Sequence, residues 1–355
     1  MKTIGRLILS AIFAVLTFVL ISAASSAPQM IFAFYPSLAA QVLGAISSVT
    51  SQLPFALWEV LVLLAVLWMI YSLVRAFSKG RGFFYWIAGV VLFASVLAFA
   101  FTAMWGLYHF DRDVSEKLAL DVREYSVQEL REATEYYAEQ VNSLSQSVSR
   151  PDGGVADFSE FEALAKKTGE GFAILAQKYP MFANTDGTVK KLAAWPVYSY
   201  FGTTGIFAPF TAEASVNPDT YEVWLPFTMC HEIAHRQGVA AEDGANFCAY
   251  LACMANTDAE YRYSGAFAAF TYCSNALTRV DAAAAAQIWQ SVDMGVYADA
   301  MAANEHYAQY EGKVQDTVQK VNDAYLKFFD EEAGVQSYGE VADLLIAWYL
   351  QNSSL

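Results

Sequence analysis

Three long apolar segments near the N-terminus constrain the fold of this chain more than any other feature. They begin at Leu7, Leu53 and Gly82, and each is long enough to cross a hydrocarbon core of roughly 30 Å as an α-helix. Hydrophobic residues occupy 56% of the 355 positions, more than an ordinary soluble domain contains. We therefore expect residues 1–110 to form a membrane anchor with three transmembrane helices, and residues 111–355 to form a separate water-soluble domain.

The first apolar segment has a second interpretation. Its basic start, its apolar centre and the small residues before Ala27 are also typical of a secretory signal sequence. Cleavage would remove one helix and leave the second and third segments as a transmembrane hairpin. The sequence leaves both interpretations open, and both put the large C-terminal domain on the same side of the membrane.

Charge is distributed unevenly along the chain. Residues 1–110 contain five basic residues and one acidic residue, whereas the remaining 245 residues contain 16 basic and 35 acidic residues. All five basic residues precede the first apolar segment or lie in the 75–81 loop, so the positive-inside rule places both regions in the cytoplasm. Residues 111–355 are then expected outside the cytoplasm, attached to a multi-pass anchor in the cell membrane. Their net charge of −19 argues against nucleic acid as a partner. The apolar segments make the lipid bilayer an expected partner.

The C-terminal domain has the composition of a mostly helical protein. Charged and apolar residues are mixed at helical spacing in segments 115–148 and 158–180. Residues 187–219 differ, because glycine, proline, aromatic and β-branched residues replace that mixture, and they predict short strands or a hairpin. The expected fold class is therefore mainly α, with one small β element. Within that element, residues 204–216 could be an edge strand for an extended substrate or a cover over the site.

The stretch MCHEIAHRQGVAAEDGANFCAY, from Met229 to Tyr250, contains the pattern His-Glu-x-x-His. On an α-helix, His231 and His235 lie on one face about one turn apart, so both imidazoles can bind one metal ion. In zinc sites with this pattern the intervening acid, here Glu232, does not bind the metal. It accepts a proton from the attacking water and passes it to the leaving amine.

A zinc ion bound by two histidines needs a third protein ligand and one open position. Pro226 suits the first turn of the histidine helix, and Gly238 suits a left-handed C-terminal cap, after which the chain can reverse. Glu242 and Asp243 are the nearest acids after that turn. Asn246 is four residues from Glu242, so one of the two can bind the metal while the other orients a ligand.

Three stretches, GIFAPFTAEASVNPD, LPFTMCHEIAHRQGVAAEDGANFCAYLAC and VNDAYLKFFDEEAGVQSYGEVADLLIAWYL, resemble an uncharacterised bacterial membrane protein family, a domain of unknown function within the zincin-like, gluzincin-type metallopeptidases. That resemblance implies a zincin-like C-terminal domain with Zn²⁺ bound by His231, His235 and Glu242, and Glu232 as general base. Asn246 stands where the gluzincin group has an aspartate. The gap between the two halves of the motif is short for that group.

The function expected from these features is that of a membrane-anchored zinc metallopeptidase that hydrolyses a peptide or protein substrate outside the cytoplasm. The alternative is a non-enzymatic cell-envelope protein in which a structural zinc site holds two helices together. An intact Glu232 favours the first function, because a structural site needs no general base and usually closes its fourth position with a protein ligand.

A peptidase also needs a hydrogen-bond donor that stabilises the oxyanion of the transition state, usually a tyrosine or a histidine. The sequence does not distinguish among five candidates, namely Tyr198, Tyr200, Tyr325, Tyr338 and His306.

Two further signals concern packing. The four cysteines include no Cys-x-x-Cys pair, and we expect them to be small core residues rather than zinc ligands or disulfide partners. Ser337 and Glu340 have capping-box spacing before an apolar run that is too short to span a membrane, so that run should pack on the domain.

Overall fold

The computed structural model describes residues 3–151, 154–183, 188–328 and 341–353. In this part of the chain the fold is mainly helical with one small sheet, as the sequence predicts. The helices are α1 (Thr3–Ser26), α2 (Pro28–Phe32), α3 (Tyr35–Thr50), α4 (Leu57–Ser78), α5 (Gly82–Met104), α6 (Val114–Leu118), α7 (Val127–Ser145), α8 (Phe161–Leu175), α9 (Trp195–Phe201), α10 (Leu225–Arg236), α11 (Glu242–Ala255), α12 (Ala259–Val280), α13 (Ala282–Trp289), α14 (Met294–Ala308), α15 (Lys313–Phe328) and α16 (Val341–Ser353). The strands are β1 (Val189–Lys191), β2 (Gly205–Ala208) and β3 (Glu213–Val216), and short 3-10 helices cover Gly106–Phe110, Pro180–Phe182 and Glu222–Trp224.

The residues group into two compact units. The first consists of Met1–Asp111 and Ala208–Glu213, and the second consists of Arg112–Phe207 and Ala214–Leu355. The short segment 208–213 therefore belongs with the N-terminal helices, although the residues on either side of it belong to the second unit.

Three helices of the first unit, α1, α4 and α5, are long and apolar enough to cross a membrane. A tight turn joins α4 to α5, and Gly80 within it has a φ of 64°, a left-handed conformation that favours glycine. Helix α1 packs along α5. The Arg6 guanidinium ties these two helices together, because it donates to the carbonyl and hydroxyl oxygens of Tyr85 at 2.8 and 2.7 Å.

Glu213 provides the N-terminal cap of α4. Its two carboxylate oxygens accept hydrogen bonds from the N–H groups of Leu57 and Trp58 at 2.9 and 3.0 Å. The first N–H groups of a helix have no partner within the helix and carry partial positive charge, so a carboxylate stabilises them. This cap lies at the end of α4 that is remote from the basic 79–81 turn.

The core of the second unit is built around α11, which packs against α8, α10, α12 and α16. Two glycines permit α8 and α12 to lie close to α11. A Cβ atom on Gly171 would collide with the backbone of Ala252, and one on Gly265 would collide with the Cys253 side chain. Helices α8 and α12 therefore contact α11 at a distance that larger residues would not allow.

The first predicted helical segment of the second unit forms two helices instead of one. Helix α6 ends at Ala119, which has a left-handed φ of 53°, and the chain is irregular until Ser126. Ser126 and Glu129 then form a capping box that begins α7, because each side chain accepts a hydrogen bond from the backbone of the other. The spacing of apolar residues predicted one continuous helix here, but the left-handed Ala119 and the capping box divide the segment into two helices.

The segment 187–219 contains the predicted strands and also a helix that the sequence did not predict. The strand order is β1-β3-β2, with β1 parallel to β3. Because β2 is the last strand in this order, it lies at an edge of the sheet. A turn of four residues joins β2 to β3. Helix α9 lies between β1 and β2 in the chain. It begins and ends where it does because Pro196 suits its first turn and Gly202, with a φ of 68°, suits a left-handed C-terminal cap.

The C-terminal apolar run packs on the second unit, as predicted. Helix α16 contacts α7, α11 and α12, and the Tyr137 hydroxyl donates to Leu345 O at 2.8 Å. All four cysteines are buried and free. The predicted capping box of Ser337 and Glu340, and the candidate Tyr338, lie outside the described residues.

Candidate metal centre

Helix α10 carries the His-Glu-x-x-His pattern, and the local sequence determines both of its ends. Pro226 occupies its first turn, where a missing N–H group costs nothing. At the other end Gly238 is left-handed, with a φ of 86°. The N–H groups of Gly238 and Val239 donate to the carbonyls of His235 and Ala234 at 3.0 and 3.2 Å, which is a Schellman motif. The chain therefore leaves α10 in the reverse direction.

Helix α11 begins at Glu242 and packs against α10. His231, His235 and Glu242 each offer one ligand atom, and these atoms all lie within 4.8 Å of one another. The two Nε2 atoms are 3.0 Å apart, and the Glu242 oxygens lie 3.2 Å from His231 Nε2 and 3.7 Å from His235 Nε2. Asp243, the neighbouring candidate, is not part of this group.

The spacing of the three donors fits a tetrahedral zinc site. Nitrogen and oxygen ligands lie about 2.0–2.2 Å from zinc, so two ligands of such a site are roughly 3.3–3.6 Å apart. The two Nε2 atoms are 3.0 Å apart, and different Glu242 oxygens lie near them, Oε2 at 3.2 Å from His231 Nε2 and Oε1 at 3.7 Å from His235 Nε2, so these distances are close to that range. A carboxylate beside two imidazole nitrogens also favours positive charge between them. The donor set therefore suits a zinc ion in both size and charge.

The tautomer of His235 is fixed by the turn that follows α10. His235 Nδ1 lies 2.7 Å from Val239 O, and a carbonyl can only accept, so Nδ1 carries the proton and donates it. The Nε2 lone pair then faces the other two donors, which is the arrangement that metal-binding histidines need. Nδ1 of His231 is buried and has no hydrogen-bond partner among the described residues. Asn246, which we expected to orient a ligand, lies beside the His231 ring.

Burial and neighbouring charges shift the pKa values of His231 and Glu232 on α10. Burial lowers the pKa of His231, but Glu242 and, more weakly, Glu232 raise it, and the result lies above the usual value. The pKa of Glu232 is raised to about 8, mainly by burial; the charge of His231 opposes this increase and that of Glu242 adds to it. Glu232 is therefore a carboxyl whose pKa lies near neutral pH, the range in which a general base works best.

The start of β2 lies directly against Glu232. A Cβ atom added to Gly205 would be 2.7 Å from both Cγ and Cδ of Glu232, and closer still to Oε1. The Glu232 residue is only 4% exposed. The edge strand and the candidate general base are thus close together, and any residue larger than glycine at position 205 would force one of them to shift.

Three residues of this centre were missed by the sequence interpretation. They are Gly205, Val239 and Tyr272. Tyr272 lies on α12, and its pKa is raised by burial and by the charge of Glu242. The Val239 contact uses a backbone carbonyl, which leaves no signal in the side-chain pattern. Tyr272 is one of 21 tyrosines, and its spacing from the motif gives it no distinction.

The described candidates for an oxyanion donor lie on other elements. Tyr198 and Tyr200 are on α9, and Tyr200 is exposed. His306 is on α14, and its Nε2 atom lies 2.7 Å from the backbone carbonyl of Asp219. The side chain of Tyr325 lies outside the described part of the chain.

The fold and this centre describe a helical membrane protein with a candidate metal site on two adjacent helices. Residues 34–346 match the model of a family described as a protein of unknown function (DUF3810), and the chain belongs to that family. No curated protein and no solved structure matches the chain. The matched region covers α4, α5 and all residues of the candidate metal centre.

Proposed function

We propose that this protein is a membrane-anchored zinc-dependent metallopeptidase of the gluzincin type. His231, His235 and Glu242 would hold the zinc ion, and Glu232 would act as general base. One observation carries the proposal. Three donor atoms meet within 4.8 Å of one another beside a buried carboxyl that is not one of them. This is the division of roles that peptide hydrolysis at a zinc site requires.

Zinc, when bound, supplies Lewis acidity that makes a water molecule nucleophilic near neutral pH. Glu232 accepts the proton of the attacking water and transfers it to the amine that leaves. Its raised pKa suits a residue that first takes a proton and later gives it up, because proton transfer is most efficient when the pKa lies near the operating pH. Nearby positive charge would lower that pKa toward neutrality. Val239 keeps the His235 ring in its metal-binding tautomer throughout.

The position of β2 supports an extended peptide as the substrate. An edge strand offers backbone groups to a polypeptide that adds to the sheet as a further strand. Because Gly205 of β2 contacts Glu232, a peptide bound along this edge would present its backbone close to the general base. This favours the edge-strand interpretation of residues 204–216 over the interpretation as a cover.

A structural zinc site is less consistent with the arrangement. Such a site is normally closed by four protein ligands. Among the described residues, the group of potential ligands contains three members. A buried Glu232 beside them would also be costly to keep in a site that performs no proton transfer.

Metal analysis and a peptide-library cleavage assay on the full-length protein test the proposal together. We expect about one zinc ion per chain and cleavage that Glu232→Gln abolishes while zinc is retained, since the amide keeps the shape but cannot accept a proton. Zinc without cleavage of any library peptide would favour the non-enzymatic envelope protein. Loss of zinc in Glu232→Gln would contradict the roles assigned to the two carboxyls.

We further propose that the large C-terminal unit lies outside the cytoplasm. The distribution of basic residues supports this orientation, and so does the first unit, where the 208–213 segment contacts the α4 end remote from the basic turn. A cysteine replacing the exposed Gln128 should react with a membrane-impermeant maleimide in intact cells stripped of any outer barrier, whereas one replacing Lys79 should not. The reverse labelling pattern would overturn the orientation.

A further inference from the structure

Four polar residues are joined by hydrogen bonds next to the start of β2, three of them through their side chains and His306 through the backbone carbonyl of Asp219. They are Ser199 of α9, Asn217 and Asp219 of the segment after β3, and His306 of α14. We call this group the strand clamp. None of its members lies on α10 or α11, so the strand clamp is distinct from the candidate metal centre.

Asn217 connects the strand clamp to the residues that precede β2. Its side-chain amide donates to Ser199 Oγ at 2.9 Å and to Thr203 O at 3.2 Å, and its backbone N–H donates to Thr204 O at 2.8 Å. Asn217 is only 3% exposed, so these hydrogen bonds form away from water. The two carbonyls immediately before Gly205 are therefore both held by one residue.

Asp219 and His306 hold Asn217 in place. The Asp219 N–H donates to Asn217 Oδ1 at 2.9 Å, and the Ser199 hydroxyl lies 2.8 Å from Asp219 Oδ2. His306 Nε2 lies 2.7 Å from Asp219 O, and because a carbonyl can only accept, Nε2 donates. The imidazole ring also packs against Tyr221, with ring centroids 5.7 Å apart. The Nε2 proton of His306 is thus used to fix a turn, which favours a positioning role over the oxyanion role considered from the sequence.

The strand clamp acts at the point where β2 meets the general base. Thr203 and Thr204 are held by Asn217, and the next residue, Gly205, is the one that contacts Glu232. A shift at this point would move the edge strand relative to Glu232. It would also move any peptide that pairs with that strand.

We propose that the strand clamp is a positioning device that sets β2 against Glu232, and that His306 and Asn217 determine how tightly an extended peptide binds. The kinetic part rests on the proposed peptidase function. The structural part does not, because the hydrogen bonds from Asn217 to the carbonyls of Thr203 and Thr204 exist whether or not a peptide is cleaved.

The variants that test the proposal remove donors while keeping shape. His306→Phe keeps the ring and its packing but loses the Nε2 donor, whereas His306→Gln keeps an amide nitrogen of similar reach. Asn217→Asp loses the two side-chain donors and keeps the acceptor. Asn142→Asp is the matched control, because Asn142 likewise accepts from the N–H of an aspartate, Asp293, and donates to a backbone carbonyl, but at the start of α14.

Hydrogen exchange on the full-length protein gives a readout that does not depend on activity. We expect amides of residues 202–208 to exchange about 3- to 10-fold faster in His306→Phe and in Asn217→Asp, the effect of losing one or two hydrogen bonds. Amides of α10 should keep their exchange rates, which shows that the fold is intact. His306→Gln should lie close to the wild type, and Asn142→Asp should leave residues 202–208 unchanged.

Kinetics test the consequence for substrate. For a peptide long enough to pair with β2, KM should rise about 10-fold in His306→Phe with kcat within a factor of about 3 and zinc content unchanged. For a peptide too short to reach β2, KM should stay at the wild-type value, which a general loss of structure would not produce.

Unchanged exchange at residues 202–208 in both His306→Phe and Asn217→Asp would overturn the strand clamp. An equal rise of KM for short and long peptides would overturn its role in peptide binding. If the wild type cleaves no peptide, the proposed peptidase function fails, and the exchange rates still decide whether the strand clamp holds β2.

Discussion

Replacing Gly205 with alanine tests the contact between β2 and the candidate general base most directly. The added Cβ atom would lie 2.7 Å from Cγ and Cδ of Glu232, whereas ordinary contacts begin near 3.4 Å. Either Glu232 or the strand must therefore recede by about 0.7 Å, and more where the carboxylate oxygen is concerned. Glu232 has little room to move, because it is only 4% exposed.

The expected cost follows from this displacement. Misplacing a catalytic group by about 1 Å can reduce the rate roughly 100-fold, so a shift of about 0.7 Å should lower kcat/KM about 10- to 100-fold. This corresponds to about 1.4–2.7 kcal/mol of lost transition-state stabilisation. Zinc content should not change, because the three atoms nearest to the added Cβ all belong to Glu232, which is not one of the three donors.

The assay compares kcat/KM and zinc content of Gly205→Ala with those of the wild type and of Gly154→Ala. Gly154 is a matched control, because the nearest atom to its added Cβ would be 3.6 Å away, an ordinary contact. Activity of Gly205→Ala equal to that of Gly154→Ala would refute the idea that β2 positions Glu232. Loss of zinc in Gly205→Ala alone would show that the strand supports the metal donors instead.

Three further predictions concern the centre itself. Glu242→Ala should lower zinc content after dialysis far more than Asp243→Ala, and Asn246→Ala should weaken zinc binding by roughly 10- to 100-fold; equal zinc retention in Glu242→Ala and the wild type would contradict the third ligand. In metal-free protein, the raised pKa of Glu232 means that its contribution to stability is present below its ordinary pKa of 4.5 and is lost as pH rises through about 8. The free energy of unfolding of the wild type should thus fall relative to Glu232→Gln by about 1.4 kcal/mol per pH unit in that interval, and parallel pH profiles of the melting temperature would argue against a buried protonated carboxyl. Adding zinc should raise the melting temperature of the metal-free wild type but not that of Glu242→Ala, and an equal increase in both would indicate binding elsewhere.

Local sequence chemistry predicted the parts of the centre that depend on neighbouring residues. Pro226 begins a helix and Gly238 ends it in a left-handed conformation because both effects are set by the backbone of one or two residues. The pairing of His231 with His235 follows from helical spacing alone. The mainly helical fold was predictable for the same reason, since hydrophobic periodicity is a local property.

Contacts between distant parts of the chain were not predictable in this way. Gly205 lies 27 positions before Glu232. The β-branched and aromatic residues around it predicted a strand, but they did not indicate which residues the strand contacts. Helix α9 was missed because its aromatic and β-branched residues favour strands, and Pro196 and Gly202 outweigh that preference. His306 and Asp219 meet across 87 positions, so their hydrogen bond leaves no periodic signal.

The short connection between His235 and Glu242 is explained by what the turn itself contributes. A longer connection would be needed if an irregular loop joined α10 to α11. Here Gly238 reverses the chain within two residues of the end of α10, and Val239 directs its carbonyl back to His235 Nδ1. The same few residues therefore end one helix, fix the tautomer of a donor and deliver Glu242 at the start of the next helix, within 3.7 Å of His235 Nε2. The turn thus performs the orienting role that a separate side chain often performs in metal sites.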